Sequence, residues 1–290
     1  MDMSNFRTHL FATTAVSLAL SGAAYAADLP VKAPPPAPVV APVANWTGFY
    51  VGAQIGGASF DPSCTGPVVG DLTRAAGACS QHTNFSDGEG ASSTSLSSAS
   101  VIGGGKVGYD WQGLLGWDRV VLGVVGEFDW THLSGTINEP APTVCCGEFN
   151  DGFGSASQRI DWLASARLRG GWAFDNVLFY ATGGVAWTRI NESASLTCPS
   201  GTCTDGPSFG YGSSASTTKT GVVAGGGFEY RVTPHVSVVG EFLWYDFPTS
   251  SLNSRVCLLA DPSECNSETY TTTFKSQDIV SGTLGVNYRF

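Results

Sequence analysis

The sequence predicts an all-β protein, an eight-stranded antiparallel transmembrane β-barrel with long extracellular loops and short periplasmic turns. Three observations lead there. Charged residues are only 13% of the 290, about half the share of a soluble domain. The body of the chain holds no run of about 18 apolar residues, so no helix can span a bilayer. Segments of about ten residues alternate in polarity instead, and through the middle of each one face is free of charge.

The N-terminus points to export. Arg7 and His9 precede an apolar run from Leu10 to Leu20, and Ala24-Tyr25-Ala26 follows as an A-x-A exit. Residues 1–26 read as a signal peptide, with the mature chain beginning near Ala27. Cleavage removes one base, Arg7, and one acid, Asp2, so the net charge of −10 is unchanged. That acidic balance argues against nucleic acid as a partner. Residues 27–45 are dense in proline, which favours polyproline II and cannot pair in a sheet. They read as a periplasmic spacer ahead of a barrel over 46–290.

Eight strands are expected at about 46–57, 98–111, 119–131, 158–172, 177–189, 218–232, 236–246 and 277–290. Each is long enough to cross a bilayer when tilted. The connections 58–97, 132–157, 190–217 and 247–276 are long and rich in Ser, Thr, Gly, Asp and Asn. Those at 112–118, 173–176 and 233–235 are tight. Outer-membrane barrels show this asymmetry, with long loops outside and short turns in the periplasm.

Away from the ends of the spans, the charges share one row. The opposite, lipid-facing row reads Phe49, Val51, Ala53, Ile55 in the first strand and Ile160, Trp162, Ala164, Ala166, Leu168 in the fourth. The inward row carries Lys106, Asp110, Glu127, Asp129, Arg159, Asp161, Arg167, Arg169, Lys219, Glu229, Arg231, Glu241 and Arg289. A Lys or Arg facing lipid at the midplane costs about 2–4 kcal/mol, which explains the segregation. An eight-stranded barrel is just wide enough to be filled by side chains. Ion pairs are therefore expected, Glu127 or Asp129 with Arg167 or Arg169, and Glu229 or Glu241 with Arg231. They would plug the lumen, and the rival reading is a narrow water path along the same charges.

Aromatic residues gather at row ends, as interfacial belts require. Trp111, Trp172, Tyr288 and Phe290 fall at the periplasmic end, and Trp130, Trp162, Trp187 and Trp244 at the outer end. Phe290 closes an alternating strand and reads as the signal to the barrel-assembly machinery. Asp28-Leu29-Pro30, the proline-rich spacer, Asn45-Trp46-Thr47-Gly48-Phe49-Tyr50-Val51-Gly52, Gly105-Lys106-Val107-Gly108-Tyr109-Asp110-Trp111-Gln112 and Leu284-Gly285-Val286-Asn287-Tyr288-Arg289-Phe290 carry a resemblance. In these segments the chain resembles the small porin-like outer-membrane proteins of alpha-proteobacteria, the outer-membrane immunogenic protein family. The resemblance implies an abundant eight-stranded barrel of the bacterial outer membrane.

Eight cysteines, Cys64, Cys79, Cys145, Cys146, Cys198, Cys203, Cys257 and Cys265, fall two to each long loop. Export through an oxidising compartment favours disulfides. Cys64–Cys79, Cys198–Cys203 and Cys257–Cys265 are the simplest local pairs among 105 connectivities. With only His82, His132 and His235 in the mature chain, no metal site is expected. Gly103–Gly108 matches G-x-G-x-x-G, but inside a strand with no helix after it the dinucleotide reading fails. No spacing singles out a nucleophile and base, so no enzyme is expected, and no cofactor.

The leading expectation is a structural, surface-exposed barrel serving envelope integrity and surface contact, with outer-membrane lipid as its surroundings. A narrow porin for small solutes is the alternative. A third reading comes from the resemblance, because some relatives are described as haemin binders; His82 and His132 would then be axial ligands. The oligomeric state stays open.

Overall fold

The structure, a computed structural model, describes residues 44–290 apart from 72–73, 78, 80–82, 87–88, 115, 141–152, 199–206, 268 and 276. The expected signal peptide and nearly all of the spacer lie outside the described residues. So do His82, Cys145, Cys146, Cys203 and the side chain of Cys198.

Eight strands form the wall: β1 (Gly48–Phe60), β2 (Ser98–Gln112), β3 (Val120–Pro140), β4 (Phe153–Phe174), β5 (Val177–Cys198), β6 (Phe209–Arg231), β7 (Val236–Phe247) and β8 (Gln277–Arg289). Each pairs antiparallel with its neighbours in sequence, and β1 pairs with β8, Tyr50 opposite Arg289, to close the ring. Over the stretch where all eight strands pair, closure leaves no unpaired edge, a condition for crossing hydrocarbon with strands. Three tight connections join β2 to β3, β4 to β5 and β6 to β7 at one end. In the second, Asp175 takes φ 47°, the left-handed conformation that a two-residue hairpin needs.

The outward row is apolar through the middle of the ring. Ile55, Val101, Leu168, Phe242 and Leu284 are all exposed, Leu168 to 70%. Trp111, Trp172, Tyr288 and Phe290 stand exposed at the tight-turn end, and Trp130 and Trp244 at the other.

The outer half corrects the expectation of loops. Strands β3 to β6 run 21, 22, 22 and 23 residues, about twice what a tilted strand needs to cross. Much of 132–157 and 190–217 is therefore sheet continuing beyond the membrane. The segments 58–97 and 247–276 are not plain loops either. Ser250–Ser254, Tyr270–Lys275, Ser63–Asp71, Glu89–Ser95 and Thr83–Ser86 pair in that order as a second sheet. This cap has its own core, in which Leu96, Leu252 and Phe274 meet Ile137, Leu196 and Tyr211 of the prolonged wall.

A second correction concerns β4. The register slips between Trp130 and Leu133 on β3 and between Ile160 and Leu163 on β4. Such a bulge re-aims side chains. Ile160, expected toward lipid, is fully buried inside, and Arg159, expected in the lumen, is exposed outside. Asp161 leaves the lumen with it, bound to Arg159 at 3.1 Å.

Candidate functional site: the lumen and the cap

The lumen is filled in layers. Nearest the tight turns, Trp46 is 0% exposed and packs with Val121, Leu178 and Val239. Its amide N–H donates to Gln112 Oε1 at 2.7 Å, and its carbonyl accepts from Arg289 Nη1 at 2.5 Å. The chain thus enters the barrel mouth before β1 begins.

Above Trp46 lies a quartet of two bases and two acids. Arg169 Nη2 meets Glu229 Oε2 at 2.6 Å and Asp110 Oδ2 at 3.5 Å. Arg289 Nη2 meets Asp110 Oδ2 at 2.8 Å and Glu229 Oε1 at 3.7 Å. Ser237 donates to Glu229 at 2.5 Å. The Arg169 guanidinium lies 4.1 Å from the centre of the Tyr180 ring.

A second quartet follows. Arg167 Nη2 binds Glu127 at 2.6 Å and Glu241 at 3.0 Å. Lys106 reaches the same two carboxylates at 3.4 and 3.5 Å. Tyr180 Oη donates to Glu241 Oε2 at 2.7 Å. Asp129, an additional acid, accepts both hydrogen bonds from the Gln54 amide, at 2.8 and 3.0 Å. Burying charges is costly unless they are paired and hydrogen-bonded, and alternating signs in each quartet meet that condition. Beyond them an apolar layer crosses the lumen, built from Phe60, Ile102, Leu133, Ile160, Leu243 and Ile279.

Of the residues named from sequence, Lys106, Asp110, Glu127, Asp129, Arg167, Arg169, Glu229, Glu241 and Arg289 are brought together inside the ring. Arg231 is not paired as expected. Its guanidinium lies 4.4 Å from the centre of the Trp46 ring, while Glu229 goes to Arg169 and Arg289. The reason is position: Arg231 ends β6 at the mouth, beside Trp46. Lys219 stands near the outer rim and reaches the Thr249 carbonyl at 3.4 Å. Phe290 is exposed, with its amide bonded to the Phe49 carbonyl at 3.0 Å.

Sequence reasoning missed Tyr50, Tyr180, Gln54 and Trp46, which complete the lumen. It also missed Glu192, buried in the cap beside Gln158 at 2.6 Å and Ser250. All but Trp46 fall on the inward parity of their strands, so extending each alternation would have found them.

In the cap, disulfides join Cys64 to Cys79 and Cys257 to Cys265. Cys64 and Cys79 are fully buried in the cap core. The second bridge closes a hairpin in which Ser263 donates twice to Asp261, through its amide and its hydroxyl. Those bonds hold the Asp261 carboxyl below its ordinary range. His132, offered for haemin, stands exposed on the outer wall.

Residues 12–290 match the family described as outer membrane protein beta-barrel domain. The chain belongs to that family. Its place is the bacterial outer membrane. Among solved structures, this family barrel is similar to OprG from Pseudomonas aeruginosa, at 12% identity and TM-score 0.41, covering 85% of this chain and 98% of that one. It is also similar to Ail, the attachment invasion locus protein of Yersinia pestis, at 12% identity and TM-score 0.30, covering 81% and 99%. A major outer membrane protein from Thermus thermophilus matches at 13% and TM-score 0.33, covering 80% and 99%. No curated protein matches the chain.

Proposed function

We propose that this outer-membrane barrel is a closed, non-catalytic structural element that supports envelope integrity and meets the outside through its disulfide-stapled cap. The observation that carries the reading is the filled lumen. Two charge-balanced quartets stand between Trp46 and an apolar layer, and their members are almost fully buried. A conducting path would need hydrated charges, whereas these are spent on one another. Within the family, the Asn45–Gly52 and Leu284–Phe290 motifs favour the small alpha-proteobacterial porin-like barrels. Residues 1–26 serve as the export signal in this reading, and Phe290 as the contact for barrel assembly.

The test is single-channel conductance of purified protein in a planar bilayer, with folding verified by the gel shift between unheated and boiled samples. Silence is expected. Discrete, reproducible steps from folded protein would overturn the closed reading in favour of a narrow porin for small solutes.

A further inference from the structure

The bulge in β4 has an effect on the outside of the barrel. It turns Arg159 and Asp161 out of the lumen just where the wall leaves the membrane. Trp162, on the membrane side of the bulge, pairs in register with Trp130, and Trp187 stands on the adjacent β5. Two residues beyond Trp187, Arg189 also faces outward and is exposed. Two residues along a strand span about 6.6 Å. Indoles mark the headgroup boundary, so the two guanidiniums stand at the depth of headgroup phosphates.

Arg159 is partly balanced by Asp161, which also accepts from Asn191 Nδ2 at 3.0 Å. Arg189 has no ion-pair partner among the described residues. Beside Arg159 and beyond it the wall changes chemistry. Ser157 and Ser193 share a hydrogen bond of 2.8 Å, and Ser216 donates to Asn191 Oδ1 at 2.7 Å. These side chains line a shallow groove of about 470 Å³ together with Arg159. Farther round the ring the wall differs: Asp246 on β7 faces Asp278 on β8, and both are exposed.

We propose that this face of β4–β6 seats the phosphorylated sugar headgroup of an outer-leaflet glycolipid. Arg189 and Arg159 take the phosphate, for which the guanidinium fork is suited. The shelf of Asn191 and Ser216, in register with Arg159, and of Ser157 and Ser193, one step farther from the hydrocarbon, takes sugar hydroxyls. The order along the wall, from apolar side chains through indole and guanidinium to hydroxyl, matches the order of groups along such a lipid. A phospholipid offers the same phosphate but nothing at the level of the shelf. The seat stands whether or not the lumen conducts.

The full chain, folded in detergent and verified by gel shift, is titrated with lipopolysaccharide, with dephosphorylated lipopolysaccharide and with phosphatidylglycerol, read by tryptophan fluorescence. The Arg159→Gln/Arg189→Gln variant is expected to bind lipopolysaccharide about tenfold or more weakly, the order for two cations at a charged surface. Asp161→Asn, which frees Arg159, is expected to bind several-fold tighter. Arg255→Gln, on the cap, should bind as the parent does. An unchanged affinity in the folded double variant, or in Asp161→Asn should the double variant not fold, overturns the proposal. Equal affinity for the dephosphorylated lipid does so too. Phosphatidylglycerol binding as tightly, with the same arginine dependence, overturns the sugar assignment.

Discussion

Arg167 and Arg169 sit two positions apart on β4, point the same way, and each anchors a different ion quartet. Arg167 holds Glu127 and Glu241, and Arg169 holds Glu229 and Asp110. The spacing follows from the period of a strand, in which i and i+2 share a face. Stacking two neutral quartets lets one narrow lumen bury eight charges in mutual pairs, while Asp129 rests on the Gln54 amide. Tyr180 ties them together, with its ring under Arg169 and its hydroxyl on Glu241.

Removing one arm of a quartet should cost more than removing the pair. Arg169→Ala leaves Glu229 and Asp110 each short of a cation, and breaking a buried pair costs about 3–5 kcal/mol. Arg169→Met with Glu229→Leu removes two opposite charges together and should recover much of that loss. Urea unfolding followed by loss of the unheated gel species measures both. Equal destabilisation by the single and double variants would mean the quartet is not a coupled unit.

The ring itself was legible because lipid enforces a strict rule. Through the middle of the ring strands, charges such as Lys106, Glu127 and Arg167 could not face outward, so parity exposed all eight strands. The rule lapses outside the membrane, and so did the reading. Ser134, Ser157, Ser193 and Ser214 are polar because they meet water, and their strands looked like loops. The apolar half of the signal was still there, in Leu133 and Ile137 and in Ile190, Ala194 and Leu196. The bulge at Ile160–Leu163 was hidden for a different reason. A one-residue slip leaves composition untouched and declares itself only when Arg159 and Ile160 are both placed. Arg231 shows a third limit, since alternation gives a face but not a partner.

Gly108 and Tyr50 form a steric pair. A Cβ at Gly108 would collide with the tip of the Tyr50 ring and crowd the Val124 carbonyl at 2.7 Å. Gly108→Ala should therefore destabilise the barrel by about 1–3 kcal/mol, the range for overpacking. In a Tyr50→Leu background the penalty should shrink, though the carbonyl keeps part of it. A double-mutant cycle on urea midpoints reads the coupling, and strict additivity would refute it.

Trp46 should matter for stability without mattering for conductance. Trp46→Ala empties the mouth and strips the stacking surface from Arg231, at a cost of about 3–5 kcal/mol for a large buried side chain. The quartets and the apolar layer above remain. A planar bilayer should stay silent with this variant while its urea midpoint falls. Channel steps would mean that Trp46 alone keeps the lumen shut.

The disulfides should stabilise the cap and leave the ring nearly untouched. Cys64–Cys79 closes a 15-residue separation, for which chain entropy gives about 3 kcal/mol. Both sulfurs lie in the cap core beside Phe274 and Leu252, whereas the ring closes through backbone pairing of β1 with β8 that involves neither. Cys64→Ser with Cys79→Ser should therefore make the cap of intact cells more susceptible to added protease, with the membrane-embedded fragment still shifting on heating. The Cys257–Cys265 bridge spans eight residues at the rim of the cap, so its removal should open only its own hairpin to cleavage. Loss of the heat-shifted species in the first variant would show that cap and ring fold as one unit.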